Sequence, residues 1–348
     1  MVPEINISDF YRINVPLIDV RSPAEYARGH IPGVVNIPLF SDEERAHVGI
    51  TYVQQSREKA MDLGYKYVTP KLDSFISQSK QVAPDGRVVV HCWRGGMRSQ
   101  SFAQHLLDNG FPDVSVISGG YKAFRHYVLD TFNIPFNLRI VGGYTGSGKT
   151  HIIARLRDMG WQAVDLEDLA GHKGSAFGSI VGKEQPTVEQ FENNLFDVWR
   201  KLDYSKPIWL EDESHNIGGV NIPMNLFNQM RNNPVYFLDI PREERAKHLV
   251  AEYAGTDKES LAESIRKISK RLDGLKTKEA FQYLDEGNFY EVASIALTYY
   301  DRTYKKGMRF RSPDKIYVIP GYSTNPQENT KLILKIYQIH ERYKIDSI

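Results

Sequence analysis

Asn137-Leu138-Arg139-Ile140-Val141, running through Gly142 into Gly143-Tyr144-Thr145-Gly146-Ser147-Gly148-Lys149-Thr150, decides the fold of the second part of this chain. An apolar strand enters a glycine-rich loop that satisfies G-x-x-x-x-G-K-[ST], and a helical pattern begins at Lys149. Strand before and helix after are the context in which this motif binds phosphate. Backbone N–H groups around Gly143, Gly146, Ser147 and Gly148 can encircle an anion. Lys149 adds a mobile positive charge, and Thr150 is placed to hold Mg²⁺. The loop reports phosphate, not the molecule that carries it.

Downstream, strand and helix patterns alternate through Pro207-Ile208-Trp209-Leu210 and Pro234-Val235-Tyr236-Phe237-Leu238. The first of these runs into Glu211-Asp212-Glu213-Ser214, where Glu211 or Asp212 is the candidate metal-binding carboxylate; a solvated acidic turn is the alternative. Residues 165–178 mix acids, glycines and small polar groups, and read as a ligand loop with Asp165 and Glu167 as candidate contacts. The last hundred residues read as mostly helical.

Upstream, a second α/β pattern occupies the N-terminal part. Residues 15–20 read as a buried strand, and Ser22-Pro23 opens a helix with Ser22 as its cap. Residues 87–91 form a β-branched strand ending at Cys92, residues 99–109 an amphipathic helix stopped by Gly110, and residues 114–117 another strand. The boundary falls at residues 130–137, giving domains 1–132 and 133–348, both α/β with mainly parallel sheets.

A chain of 348 residues with 41% hydrophobic and 25% charged residues is an ordinary globular protein long enough for two domains. Its formal charge of +1 supplies no global field for nucleic acid, so an RNA partner must meet a local basic patch. One cysteine excludes an internal disulfide and any multi-cysteine metal site. The N-terminus lacks a secretory pattern and no apolar run is long enough to span a bilayer, so the expected setting is cytoplasmic, with no membrane contact.

His91-Cys92-Trp93-Arg94-Gly95-Gly96-Met97-Arg98-Ser99 places the lone thiol between a strand end and a helix start. Loop amides there can face an anion, and the helix N-terminus with Arg94 and Arg98 favours the thiolate. Cys92, Arg94 and Arg98 are the candidate catalytic set for a nucleophile handling a chalcogen or phosphoryl group. His91 reads as a packing residue.

Asp19-Val20-Arg21-Ser22-Pro23-Ala24-Glu25-Tyr26 and Gly29-His30-Ile31-Pro32-Gly33-Val34-Val35-Asn36-Ile37-Pro38, together with the cysteine loop, resemble the rhodanese superfamily over residues 4–130. The resemblance implies a rhodanese-like domain in which Asp19 and Arg21 form a structural ion pair. Arg98 stands six positions after Cys92, one more than in simple rhodaneses. That spacing is similar to the cysteine phosphatases and offers a wider cradle, suited to a tetrahedral anion.

With Cys-Trp-Arg-Gly-Gly-Met-Arg-Ser in front of the phosphate loop, and with Gln185-Pro186-Thr187, Phe191-Glu192-Asn193 and Glu211-Asp212-Glu213-Ser214-His215-Asn216-Ile217-Gly218 behind it, the chain resembles the tRNA 2-selenouridine synthases, also called tRNA geranyltransferases, from about residue 4 to 305. The fold class this implies is α/β, a rhodanese-like domain followed by a P-loop α/β domain with a helical C-terminal region. The implied reaction converts wobble 2-thiouridine in tRNA to 2-selenouridine. Sulfur first attacks geranyl diphosphate, and selenium from selenophosphate then replaces the geranylated sulfur, passing to Cys92 as a selenyl adduct. No tightly bound cofactor and a monomeric chain are expected.

Leu261, Ile265, Ile268 and Leu272 share one helix face, leaving Arg266, Lys267, Lys270 and Arg271 mostly on the others, a pattern that can track RNA phosphates. Tyr299 and Tyr300 lead a stretch of aromatics and cations suited to unstacked bases. A solvated helix face and a core tyrosine pair are the bland alternatives. Rival activities are an ATP-dependent sulfurtransferase or kinase, a cysteine phosphatase, and a non-catalytic RNA-binding regulator.

Overall fold

A computed structural model describes residues 2–173, 184–252 and 258–345. The chain divides into two compact units, Met1–Thr131 with Glu192–Asp197, and Phe132–Phe191 with Val198–Ile348. The short segment Glu192–Asp197 joins the first unit through Phe196, whose ring packs against Tyr11, Phe124 and Tyr127. Sequence periodicity gave no sign of that assignment, because it depends on contacts far along the chain.

The first unit is built on a five-stranded parallel sheet: β1 (Glu4–Ile5), β2 (Leu17–Asp19), β3 (Val35–Asn36), β4 (Arg87–His91) and β5 (Asp113–Ile117), in the order β1-β5-β4-β2-β3. β4 lies at the centre, and its Val88, Val89 and Val90 are buried. Both faces of a parallel sheet are covered, so such a strand reads as an unbroken apolar run rather than an alternating one. Helix Met97–Asp108 follows β4 and buries Phe102, Ala103 and Leu106 against the same core. Helix Pro23–Arg28 starts with a full capping box between Ser22 and Glu25, as the Ser-Pro start predicts.

The second unit carries β6 (Leu138–Gly143), β7 (Gln162–Val164), β8 (Ile208–Glu211), the hairpin strands β9 (Asn216–Ile217) and β10 (Val220–Asn221), β11 (Val235–Asp239) and β12 (Ile316–Pro320). Its main sheet is parallel, ordered β12-β11-β6-β8-β7. β6 is central and flanked by strands reached in opposite directions, so the crevice beyond its carboxyl end is where such a sheet binds ligands. Helices Lys258–Ser269, Gly274–Asp285, Phe289–Met308 and Pro326–Ile345 form the expected helical C-terminal region. That region also supplies β12, hidden in a mostly helical stretch although Ile316-Tyr317-Val318-Ile319 has strand composition. No helix among the described residues is long and apolar enough to cross a membrane.

Candidate functional site

The thiol loop of the first unit hangs between two backbones. Tyr121 N–H donates to Cys92 O and Lys122 N–H to Trp93 O, both at 2.9 Å, fastening the loop to the start of helix Gly120–Thr131. Gly95 and Gly120 both have left-handed φ, and a Cβ on Gly95 would stand 2.5 Å from Ile117 O. A Cβ on Gly120 would stand 2.4 Å from Cys92 O. Only glycine fits at either position. Cys92 is buried at 3% exposure, with its Sγ 3.2 Å from Ser99 Oγ. Arg94 is exposed. Arg98 is held by Glu25, Nη1 donating to Oε2 at 2.8 Å. Burial would push the Glu25 carboxyl up, but Arg98, the Ser22 amide and Arg45 together outweigh it and hold the group below the usual carboxylate range. An anion in this loop therefore competes with Glu25 for Arg98.

Behind the loop, Asp19 and Arg21 are fully buried and joined by several bonds, the shortest 2.6 Å. Arg21 also donates to Gly29 O and lies over the Tyr121 ring at 3.7 Å. Registry of β2 on β4 sets Asp19 opposite His91, whose Nε2 is 3.6 Å from Asp19 Oδ2. Burial drives His91 below the ordinary imidazole range, and His91 with Arg21 lowers Asp19 against its own desolvation. His91 is thus a packed residue bracing the strand ends, as its position predicts.

In the second unit, Lys149 opens helix Lys149–Asp158 and reaches back to Gly143 O at 3.3 Å. Thr150 Oγ1 donates to Glu167 Oε2 at 2.7 Å. The acids at the end of β8 separate by strand alternation. Glu211, fully buried, accepts from Leu166 N–H at 2.6 Å and Glu167 N–H at 3.0 Å, and so anchors the start of helix Leu166–Ala170. Asp165 caps that helix, accepting from Asp168 N–H at 2.8 Å. Asp212 points elsewhere, accepting from Arg311 at 2.5 Å, Arg231 at 3.3 Å and Tyr304 at 2.5 Å. Of the four acids singled out in the sequence, Glu167 is the one hydrogen-bonded to the phosphate loop; Asp212 is occupied by two arginines and a tyrosine.

Glu213 is the residue the sequence reading passed over. Its Oε1 lies 4.0 Å from Lys149 Nζ. Burial, then the nearby Glu167, pushes its carboxyl up to about 8, with Lys149 pulling the other way. Burial and the neighbouring Asp165, Glu167 and Glu213 also raise Glu211 well above its usual range, and Glu211 Oε2 has no hydrogen-bond partner. Glu213 lies two residues past the end of β8, where strand alternation no longer sorts side chains, so only the fold shows that it faces Lys149.

A cavity of about 1090 Å³ opens from the phosphate loop. Residues 145–150 form one end, and Phe227, Ile268, Tyr300, Met308 and Phe310 supply an apolar wall. Lys267, Arg271 and Tyr299 line it as well. Leu261, Ile265, Ile268 and Leu272 are buried and Arg266, Lys267, Lys270 and Arg271 exposed as the pattern predicts, but the helix stops at Ser269, so Lys270, Arg271 and Leu272 lie in the turn that follows it rather than on the helix. Arg271 donates to Tyr299 Oη at 2.8 Å, and the Tyr299 and Tyr300 rings are 5.1 Å apart. Arg266 pairs with Glu259 at 2.8 Å. Tyr304 is structural, bonding both Asp212 and Gly143 N–H. Of the ligand loop at 165–178, residues 174–178 lie outside the described residues.

The family model described as the tRNA 2-selenouridine synthase AAA domain matches residues 136–317, and the rhodanese-like domain model matches residues 9–127. The tRNA 2-selenouridine synthase of Nitrosomonas europaea is 38% identical over 275 residues, covering 76% of this chain and 71% of that protein. That of Hydrogenovibrio crunogenus is 36% identical over 318 residues, covering 82% and 84%. That of Sulfurovum sp. is 33% identical over 335 residues, covering 85% and 90%. With a thiol loop in a rhodanese-like domain ahead of a phosphate loop in an AAA-type P-loop domain, and relatives alike along most of both lengths, the chain belongs to the tRNA 2-selenouridine synthase family.

Proposed function

We propose that this chain is a tRNA-modifying transferase that converts wobble 2-thiouridine to 2-selenouridine through S-geranyl-2-thiouridine, using geranyl diphosphate and selenophosphate. The observation that carries the reading is the cavity of the second unit, which joins a phosphate loop to an apolar wall in one space. A prenyl diphosphate has both parts: an anionic head for Lys149 and the loop amides, and a hydrocarbon tail for Phe227, Ile268, Met308 and Phe310.

In the first stage the base sulfur attacks C1 of the geranyl group, the C–O bond breaks, and diphosphate leaves with the electron pair. Lys149 and the amides of the phosphate loop stabilise the charge that develops on the leaving oxygen. The donor set around Thr150 fits a hard cation, since Glu211 Oε2 is buried without a partner and Glu167 and Glu213 stand close to Thr150 and Lys149. Thr150 and Glu167 would hold Mg²⁺, which would neutralise diphosphate charge when bound.

In the second stage the selenium of selenophosphate adds to C2 of the uracil, the C2–S bond breaks and the geranyl thiol leaves, and water then cleaves the Se–P bond to release phosphate. The thiol loop of the first unit suits this anion, with Cys92 as the residue that handles selenium and Arg94 and Arg98 as partners for the phosphate. Arg266, Lys267, Lys270 and Arg271 supply the basic surface for the tRNA backbone, and Tyr299 and Tyr300 the stacking surface. The protein acts in the cytoplasm as a monomer.

Lys149→Ala tests the assignment of the cavity. Loss of one charge-assisted contact costs about 1.5–3 kcal/mol, or roughly 10- to 150-fold in use of geranyl diphosphate, with tRNA affinity unchanged. Unaltered geranylation kinetics would place the diphosphate outside this loop, and an ATP-dependent turnover lost in the same variant would favour a kinase-like activity.

A further inference from the structure

Two helices meet beside the phosphate loop and bring together three groups that the chemistry above does not use. His248 and Glu252 sit on helix Arg242–Glu252, four residues apart and therefore on one face. His151 comes from the first turn of helix Lys149–Asp158. His151 Nε2 and His248 Nε2 each lie 3.8 Å from the same oxygen, Glu252 Oε1. The two rings cross edge-on with centroids 5.5 Å apart, and the three ligand atoms lie within 4.8 Å of one another. All three residues line the cavity, and a Cβ on Gly148 would come 3.8 Å from His248 Nε2, which sets the cluster against the phosphate loop.

Charge pairing does not account for this convergence. Lys173 Nζ lies 3.5 Å from Glu252 Oε1 and already supplies the carboxylate with a cation. His248 Nε2 meets that oxygen from one turn earlier on the same helix. A second imidazole then meets the same oxygen from another helix.

We propose that His151, His248 and Glu252 form a binding site for a borderline divalent metal ion of the Zn²⁺ or Co²⁺ type at the mouth of the phosphate loop. Two imidazole nitrogens with one carboxylate oxygen suit such ions, whereas Mg²⁺ and Ca²⁺ take oxygen donors. Metal bonds of about 2.0–2.1 Å in a tetrahedral shell separate the ligand atoms by about 3.4 Å, so small side-chain rotations close the site. Three protein ligands leave a fourth position for water or a phosphate oxygen, on the cavity side. The site is separate from the oxygen donors around Thr150 and Glu167.

The test is a Co²⁺ titration of the chelator-treated full chain, followed by the visible d–d bands and by Zn²⁺ competition, for the unaltered protein and for His151→Ala, His248→Ala and Glu252→Gln. One equivalent with a tetrahedral spectrum is expected. Changes in outer-shell partners already weaken metal binding 10- to 100-fold, so loss of a ligand should weaken it at least about 100-fold. The His151 side chain is half exposed, and its replacement should leave metal-free thermal melting unchanged even if His248→Ala disturbs packing. The proposal is overturned by the absence of binding, or by an equivalent that survives His151→Ala and Glu252→Gln, which would assign the metal elsewhere, for example to Cys92.

Discussion

Replacing Glu213 by Gln should stabilise the ligand-free protein at neutral and alkaline pH, although it removes an acid from beside the phosphate loop. The Glu213 carboxyl moves from an ordinary 4.5 to about 8 because it is buried near Glu167, and Lys149 at 4.0 Å offsets only part of this. Below the unfolded value the group is protonated in both states and its contribution to stability is fully present. As pH rises from there the unfolded chain ionises while the folded chain keeps its proton, so stability declines until the folded group titrates near 8. At about 1.4 kcal/mol per pH unit, that interval sets a ceiling on the order of 5 kcal/mol. Gln keeps the shape and cannot ionise, so its advantage over Glu should grow from near zero at acid pH toward this ceiling. Urea unfolding at a series of pH values reads the difference as a change in midpoint. Trp161, Trp199 and Trp209 make intrinsic fluorescence chiefly a probe of the second unit. Parallel pH profiles for the two proteins would refute the reasoning and leave Glu213 an ordinary carboxylate.

Cys92→Ser should abolish conversion of S-geranyl-2-thiouridine to 2-selenouridine while preserving geranylation and tRNA binding, read by mass analysis of the modified nucleoside; selenation near the wild-type rate would remove Cys92 from the mechanism. Arg266→Glu combined with Lys270→Glu should weaken tRNA binding and lower the log–log salt slope by about one to two units, because each lost phosphate contact retains its counterions. An unchanged slope in a folded double variant would return these residues to a plain solvated face.

Legibility in the sequence follows the range of the interactions. The thiol and phosphate loops are local strand–loop–helix units, so Cys92, Arg98, Lys149 and Thr150 announce themselves by spacing alone. The basic face was legible for the same reason, because helical period sorts Ile265 and Ile268 from Arg266 and Lys267 within one element. Roles set by distant partners were not. Asp212 is matched by Arg311, 99 residues away, and Thr150 by Glu167 on a different element. Arg98, which reads as a loop cation, is engaged by Glu25, 73 residues before it. The apolar wall assembles Phe227, Ile268 and Phe310 from separate segments. Composition shows such residues as apolar, and only the fold shows that they face one space.

The opposition of Gly95 and Gly120 has a consequence for how this enzyme can vary. Each closes a gap in which any side chain would strike backbone: Ile117 O in one case, Cys92 O and Gly95 N in the other. Peptide groups cannot rotate aside as a flexible side chain can, so a substitution at either position displaces the thiol itself. Neither glycine can be exchanged by single steps through alanine or serine without passing through a displaced loop. Arg94 and Met97 are exposed and free of that constraint. A mutational library of this loop should therefore show two silent columns at 95 and 120, with tolerated diversity gathered at 97, while changes at 94 leave the backbone in place and act on the phosphate contact instead.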